Sequence, residues 1–169
     1  MTQPRTRVVF LHGLEGSPDS YKIQQLRPQV ASWGWDTEAP DLRGPADPRW
    51  RLAQLKSTIE KGPAFYVGSS LGGFVAATLA AEQPEAVAGL LVLCPAFDLP
   101  GYPLDRPAVT LPPERLCLIH GRQDTVVPLA ASERAAAAWG CPLLVVEDDH
   151  ALHHSLDAIA ALLYWQLHR

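Results

Sequence analysis

The pentapeptide Gly68-Ser69-Ser70-Leu71-Gly72 has the spacing of a G-x-S-x-G nucleophile elbow. In such an elbow a serine sits on a sharp turn between a strand and a helix, and the two glycines prevent clashes across the turn. The apolar run AFYV precedes the motif and LGGFVAATLA follows it, which is the strand-then-helix setting that the motif requires. We therefore predict that Ser70 is a nucleophile. A glycine-rich turn without reactivity is the structural alternative.

A serine hydroxyl becomes an effective nucleophile when an imidazole takes its proton and a carboxylate orients that imidazole. Two later segments can supply these groups, because each follows an apolar run that we predict to be a strand. One runs from His120 to Pro128 and the other from Glu147 to Leu152. We predict that Asp124 is the acid and His150 the base. The resulting chain order of serine, aspartate and histidine is the one that elbow enzymes use.

Several other residues compete for these two roles. An aspartate at another predicted strand end or beside His150 could supply the acid, although such aspartates often cap helices. These rival acids are Asp98, Asp148 and Asp149. The rival histidines are His12, which we predict to be structural, and His153 and His154, which fall in a helical pattern. The spacing of His150, His153 and His154 could hold zinc, but no cysteine or carboxylate set completes such a site, so we predict no metal.

Acyl transfer also requires donors for the negatively charged oxygen of the tetrahedral intermediate. The backbone amide of Leu71, directly after the predicted nucleophile, can supply one donor at the start of a helix. The second donor must come from the loop after the first strand, which has the sequence HGLEGS. We predict that the amide of Leu14 in this loop is that donor, provided that the first and third strands are neighbours.

Six short, mostly apolar runs recur along the chain, and their ends lie 26 to 28 residues apart. This spacing fits one strand-helix-strand unit per interval. Runs that are apolar throughout are typical of parallel strands covered by helices on both faces. We therefore predict an α/β fold with about six parallel strands, the polar second run lying at a sheet edge. The runs are RVVFL, WDTEA, AFYV, GLLVL, LCLI and LLVV, which end at Leu11, Ala39, Val67, Leu93, Ile119 and Val146.

Helix signals occupy the intervals between these runs. Ser17-Pro18 and Asp47-Pro48 each have the form of an N-cap followed by proline, which predicts two helix starts. Pro28 falls inside the first of these helices and predicts that it is kinked or short. The helix that starts at Asp47-Pro48 continues through Leu52, Leu55 and Ile59. The other predicted helices are one from Leu71 that Pro84 stops and a C-terminal one marked by Leu152, Leu156, Ile159 and Leu163.

Size and composition exclude several classes of protein. The chain has 169 residues, a mass of 18.4 kDa, 47% hydrophobic and 19% charged residues, which predicts one globular domain over residues 1–169. A net charge of -4 leaves no basic footprint for nucleic acid. Three cysteines cannot all pair within the chain, so we predict free thiols and a protein of the reducing cytoplasm. The uncharged stretch Gly62 to Ala81 is long enough to span a membrane, but its centre, GSSLGG, predicts a turn, so we predict no membrane partner.

Together these motifs resemble a known superfamily. His12-Gly13, the serine elbow, the H-G-x-x-D-x-x-V-P stretch from His120 and the late Asp-His are similar to those of α/β-hydrolases. The stretches LHGLEGSPDSYK, VGSSLGGFVAATLA, CPAFDL and VVEDDHAL resemble the small YqiA-type esterases of bacteria. The resemblance implies a three-layer α/β/α fold with strand order 2-1-3-4-5-6 and cofactor-free hydrolysis of esters or thioesters. It implies catalytic roles for Ser70, Asp124 and His150.

The hypothesis from the sequence is a cytoplasmic serine esterase acting on a small-molecule ester or thioester. The segment from Ala96 to Pro113 holds five prolines and no helical period, which predicts a loop too short for a lid. We therefore predict a minimal, lidless fold with an open, shallow site for short acyl chains or for an ester on a larger molecule. The alternatives are a noncatalytic binding protein with this fold, or an acyl thioesterase or peptidase. The sequence makes no prediction of oligomeric state.

Overall fold

The computed structural model describes residues 7–100 and 106–169, and within them six strands form one parallel sheet. The order β2-β1-β3-β4-β5-β6 is the one that the resemblance implied, and every predicted strand is confirmed to within a few residues. The strands are β1 (Arg7–Leu11), β2 (Asp36–Glu38), β3 (Ala64–Ser69), β4 (Val87–Leu93), β5 (Leu116–Gly121) and β6 (Leu143–Val146). Because all neighbours are parallel, the loops that follow the strands gather at one edge of the sheet.

Helices cover both faces of this sheet, which confirms the predicted three-layer α/β/α fold. The helices are α1 (Tyr21–Ser32), α2 (Pro48–Gln54), α3 (Lys56–Ile59), α4 (Leu71–Glu82), α5 (Leu129–Trp139) and α6 (Leu156–Leu167). One buried apolar cluster joins the strands to α2, α4 and α5, and a second joins them to α1 and α6. Strands β1, β3, β4 and β5 contribute to both clusters, which explains why their sequences are apolar throughout.

Two helix starts differ in how well the sequence predicted them. Asp47 caps α2 as predicted, since its side chain accepts a hydrogen bond of 2.8 Å from the amide of Arg49. The prediction for Ser17 is wrong, because α1 begins only at Tyr21. Ser17 instead joins Ser20 in a turn, in which the amide of Ser20 donates to the Ser17 carbonyl and the amide of Ser17 to the Ser20 hydroxyl.

Three further predictions about helices need correction or refinement. Pro28 lies inside α1 without ending it. The single helix predicted through Leu55 is two helices, α2 and α3, because the chain tightens at Leu55, whose amide bonds to the carbonyl of Leu52 three residues earlier. Leu152 has a φ of 55° and lies outside the C-terminal helix, which begins at Leu156.

The predicted loop from Ala96 to Pro113 is only partly described, because residues 101–105 lie outside the described residues. In the described parts of that segment, 96–100 and 106–113, the backbone forms no strand and no helix except that Pro113 begins a single 3₁₀ turn, Pro113–Arg115. Nowhere in 7–100 or 106–169 is there a helix both long and apolar enough to cross a membrane. The uncharged stretch Gly62 to Ala81 contains β3, the turn at Ser70 and much of α4, as its central glycines predicted.

Candidate active site

Ser70 occupies a strained turn between β3 and α4. Its φ of 54° and ψ of -117° are unusual for a residue with a side chain, and such strain persists only where the surroundings impose it. Here the amide of Ser70 donates to the carbonyl of Leu93 at 2.9 Å, and the Ser70 carbonyl accepts from the amides of Phe74 and Ala96. The turn is thereby fixed to the end of β4 and to α4, and the hydroxyl faces a cavity.

The two glycines of the motif are required by close backbone contacts. A Cβ atom on Gly68 would clash with the carbonyl of Gly72, and one on Gly72 would clash with the carbonyl of Leu11 at the end of β1. Both clashes are with backbone atoms, which cannot move aside as a flexible side chain would. The packing of the turn therefore accounts for the spacing that made the motif recognisable in the sequence.

The structure brings the three predicted side chains Ser70, His150 and Asp124 into one hydrogen-bonded series. His150 follows β6, and its Nε2 lies 3.0 Å from the Ser70 hydroxyl oxygen. Its Nδ1 lies 2.7 Å from Oδ2 of Asp124, which follows β5. Because a carboxylate only accepts hydrogen bonds, Nδ1 carries the hydrogen and Nε2 presents its lone pair to the serine hydroxyl. This tautomer is the one that a general base requires.

Asp124 is held as a carboxylate by its hydrogen bonds. Burial of its side chain would raise the pKa, but hydrogen bonds from His150 and from the amides of Val127 and Val126 outweigh burial and hold the pKa below its ordinary value. Both amides donate to Oδ1 at 2.8 Å. The acid therefore stays ionised at neutral pH and fixes the orientation of the imidazole.

His120 supports this carboxylate, and the reasoning from sequence assigned it no role. Its Nε2 lies 2.9 Å from the Val127 carbonyl and 3.1 Å from Oδ2 of Asp124, while its Nδ1 lies 2.7 Å from the Ser132 hydroxyl. Since a carbonyl only accepts hydrogen bonds, Nε2 carries the hydrogen and shares it between the Val127 carbonyl and the Asp124 carboxylate. Burial lowers the pKa of His120, which keeps the ring neutral. The sequence signal was its position four residues before Asp124 in the H-G-x-x-D stretch.

The rival acids have other partners. Asp98 forms an ion pair of 2.7 Å with Arg134. Asp148 is buried and accepts hydrogen bonds from the amides of Asp149 and His154 and from the Ser155 hydroxyl, so it organises the turn before α6. These bonds hold its pKa low despite its burial. The Asp149 carboxylate accepts from the amide of Ala151 at 2.9 Å, so both acids before His150 shape the histidine loop.

The rival histidines also lie elsewhere. His12 is buried, accepts from the amide of Leu42 at 2.9 Å and donates to the Gly13 carbonyl at 2.8 Å, as expected of a structural residue. His153 packs edge-on against Tyr21, with ring centroids 4.7 Å apart. His154 has its Nδ1 3.4 Å from Asp148. His150, His153 and His154 thus contact different partners and do not surround a single point, as a zinc site would require.

One group of potential metal ligands lies close together among the described residues. Cys94, His120 and Asp124 have ligand atoms within 4.8 Å of one another. Both ring nitrogens of His120 are already in hydrogen bonds, Asp124 is bonded to His150, and burial raises the pKa of the Cys94 thiol to about 12. A neutral thiol and an occupied imidazole are poor ligands, so this donor set does not fit a cation.

The predicted amide donors lie at the same edge of the sheet as Ser70. Strands β1 and β3 are neighbours, which was the condition for Leu14 and Leu71 to converge. Leu71 is the first residue of α4, where an amide has no carbonyl partner within its own helix. The loop after β1 passes directly beside the serine, since a Cβ atom on Gly13 would stand 3.4 Å from the Cβ of Ser70.

A cavity of about 710 Å³ opens beside Ser70 and His150. Its apolar interior lies between α1 and the strands and is formed by Phe10, Leu11, Ile23, Leu26, Val67 and Leu93, each no more than 6% exposed. Lys22 also lines it and donates to the Ala151 carbonyl at 2.7 Å, and burial lowers the pKa of its ammonium group. The cavity is the space beside Ser70 in which an acyl chain would lie, and the shallowness of the site stays a prediction.

Comparisons with known proteins agree with this architecture. The model of the uncharacterised protein family UPF0227 matches residues 7–100. A Xanthomonas campestris pv. campestris protein assigned to the α/β superfamily of hydrolases is 30% identical, with a TM-score of 0.78 over 95% of this chain and 99% of that protein. Est1E from Butyrivibrio proteoclasticus, at 17% identity, has a TM-score of 0.79 over 99% of this chain and 91% of its own, which shows a shared fold.

Two curated proteins of Mycobacterium tuberculosis (strain ATCC 25618 / H37Rv) also match. Lipase LipV is 34% identical over 107 residues, which are 56% of this chain and 39% of LipV. Esterase Rv0045c is 29% identical over 133 residues, which are 70% of this chain and 42% of that esterase. The chain thus spans about two fifths of the length of these relatives. Given the family match and the sheet order, the chain belongs to UPF0227, within the α/β-hydrolase superfamily that its motifs resemble.

Proposed function

We propose that this chain is a serine hydrolase that cleaves carboxylic ester or thioester bonds. The observation that carries the proposal is the hydrogen-bonded series from the Ser70 hydroxyl through His150 to Asp124, with distances of 3.0 and 2.7 Å. A strained serine, a correctly oriented imidazole and an ionised carboxylate are the parts that acyl transfer requires. The names of the two curated relatives, a lipase and an esterase, support the same reaction class.

The geometry supports the following sequence of steps. His150 Nε2 takes the proton of Ser70 as the serine oxygen forms a bond to the acyl carbon, and the carbonyl electron pair moves onto oxygen. The amides of Leu71 and Leu14 donate to that oxyanion. The intermediate collapses to an acyl-serine as the ester C–O bond breaks, and the leaving alcohol takes the proton from His150. Water, deprotonated by His150, then releases the acid and restores the serine.

The cavity supports a substrate with an apolar acyl group. Its buried lining is made of aliphatic and aromatic side chains, and exposed Leu14 and Val126 extend the apolar surface around Ser70. An acyl chain attached to the serine oxygen would replace water in this space, which favours binding in proportion to the apolar area covered. A small-molecule ester with an acyl chain longer than acetyl is therefore the substrate class that the site fits best.

The proposal also includes a cellular location and a domain organisation. Cys94 and Cys117 are free and buried, which supports a reducing cytoplasm, where such thiols persist. The two apolar clusters share the strands of one sheet, which supports residues 1–169 as a single domain.

The decisive experiment measures hydrolysis of p-nitrophenyl butyrate by the purified protein. We expect turnover by the wild type and a loss approaching a factor of about 10⁶ in kcat for Ser70→Ala, as in other serine hydrolases. Ser69→Ala is the matched control and should stay within a few-fold of wild type, since the serine hydroxyl that contacts the His150 imidazole is that of Ser70. A fluorophosphonate probe should label Ser70 and no other serine.

Two results would refute the proposal. One is a Ser70→Ala protein that hydrolyses the ester as fast as wild type. The other is a folded wild-type protein that turns over no ester or thioester in a panel of chain lengths and is not labelled by the fluorophosphonate. That second outcome would favour a binding protein that retains the fold without the chemistry.

A further inference from the structure

Arg51 is a charged side chain buried in the interior of the protein. It lies on α2 and is 0% exposed. Its guanidinium reaches the loop that follows β1, where Nη1 lies 3.2 Å from the carbonyl oxygens of both His12 and Gly13, and Nη2 lies 3.2 Å from that of Leu14. One fork of donors thus holds three successive carbonyls of the loop beside Ser70.

The direction of these carbonyls fixes the direction of the amides. In a planar trans peptide the N–H points opposite to the C=O of the same unit. The carbonyl of Gly13 points at Arg51, so the N–H of Leu14 in the same peptide unit points away from it. The Leu14 carbonyl also points at Arg51, so the N–H of Glu15 likewise points away from Arg51. Successive amides on one side of a turn form a concavity that suits an anion.

This orientation bears on the reaction because the loop and the serine are in contact. Gly13 lies against Ser70, and Gly13, Leu14 and Ser70 all line the cavity. Charge that develops on the acyl oxygen during attack by Ser70 therefore appears beside the amides of this loop. Donors that are oriented in advance stabilise such charge without reorganising during the reaction.

Simple tethering of the loop would not require a buried cation. The Gly13 carbonyl already accepts from His12 Nδ1 at 2.8 Å and from the amide of Gly16 at 3.3 Å. A buried charge carries a large desolvation cost, which is offset only where its bonds are specific. The planar guanidinium reaches several acceptors in a fixed geometry, which an ammonium group cannot reproduce.

We propose that Arg51 is a positioning residue for the oxyanion site: it orients the peptide units of the loop so that the Leu14 amide donates to the oxyanion. This inference rests on the proposed function, and it adds a residue that touches no substrate. It requires that Arg51 affect the transition state more than the binding of the ground state.

The test compares Arg51→Lys and Arg51→Met with Arg49→Met. Arg49 lies on the same helix, but its guanidinium is exposed and pairs with Glu82 on the surface, so this control should behave like wild type. Removing an oxyanion donor costs a factor of about 10² to 10³ in kcat in a known case. We expect both Arg51 variants to lose about 100-fold in kcat on p-nitrophenyl butyrate, while KM changes less than about threefold.

A second readout separates positioning from general damage. An alkyl boronic acid forms an anionic tetrahedral adduct with the reactive serine and so reports on the oxyanion site. Its affinity should fall in parallel with kcat, whereas inhibition by butan-1-ol, a neutral alcohol, should not change. Thermal unfolding identifies which variants are folded. If Arg51→Met does not fold, Arg51→Lys, which keeps the buried charge, carries the comparison.

A folded Arg51→Lys or Arg51→Met protein with wild-type kcat would overturn the inference, as would a fall in kcat without a matching fall in boronic acid affinity. If neither variant folds, the test is made on the wild-type protein by NMR: the resonance of the Leu14 amide must shift when the boronic acid binds. No shift would overturn the inference. Wild-type turnover with any of these results leaves the proposed function intact, whereas absence of wild-type turnover and labelling refutes that function itself.

Discussion

Filling the cavity beneath α1 should change which acyl chains are hydrolysed. Leu26 lines the cavity on the side of α1, so a larger ring at this position would fill part of the cavity. Each methylene moved from water to an apolar site contributes about 0.8 kcal/mol, which is about fourfold in kcat/KM. From butyrate to octanoate, four methylenes give about 3 kcal/mol, or about 200-fold, if all of them enter the cavity.

For Leu26→Trp we expect p-nitrophenyl octanoate to lose most of that advantage, while p-nitrophenyl acetate keeps its wild-type kcat/KM within about threefold. The measurement is kcat/KM for the acetate, butyrate, hexanoate and octanoate esters. Overpacking costs about 1 to 3 kcal/mol of stability, so the assay is run well below the unfolding midpoint. Val30→Ala is the matched control, because Val30 is buried on the same helix but does not line the cavity.

Two results would refute this reasoning. A wild-type protein whose kcat/KM does not rise with chain length would show that acyl chains do not enter the cavity. A Leu26→Trp protein that loses all four esters equally would show that the substitution damages the site as a whole rather than filling the acyl subsite.

Three further predictions concern the residues around the candidate site. Asp148→Asn should lower the free energy of unfolding by about 1 to 3 kcal/mol at pH 7, because it weakens charge-assisted hydrogen bonds. The pKa of Asp148 is lowered in the folded protein, so the difference in stability between wild type and variant in urea melts should be present at neutral pH and be lost below about pH 4. His120→Phe should reduce kcat about tenfold or more, because Asp124 loses a donor and Ser132 an acceptor; unchanged kcat in a folded variant would contradict that role. Iodoacetamide should leave Cys94 unmodified at pH 8 in folded protein and alkylate it in urea, because burial raises the thiol pKa to about 12; rapid labelling of the folded protein, read by mass spectrometry, would contradict this.

The strands and the elbow could be predicted from the sequence because their signals are local. A parallel strand buried on both faces must be apolar along its length, and β3 and β4 satisfy this in a few consecutive residues. Gly68 of the elbow is required by a contact with Gly72, four residues away, and although Gly72 is required by the distant carbonyl of Leu11, the spacing of the two glycines is itself a local signal. Asp124 and His150 were found because side chains at the ends of parallel strands meet at one edge of the sheet.

Other features were missed because only the packed structure selects between local alternatives or brings distant residues together. The Ser17 cap was wrong because the competing turn with Ser20 uses the same local signals, and only the packed structure selects between them. Nothing in the sequence of α2 marks Arg51 as buried, since its acceptors lie 37 to 39 residues away in the loop after β1. The role of His120 likewise depends on Val127 and Ser132, which the turn into α5 brings against it.

The amino-acid sequence by itself determined the strands, the serine turn and the three side chains that meet at its rim, because periodicity, glycine spacing and strand ends are written in short segments. The volume of the cavity and the buried residues that support the site were decided by tertiary structure. How far α1 stands from the sheet, and which side chains fill the space between them, depend on the sum of many contacts across the fold. No single segment contains that information.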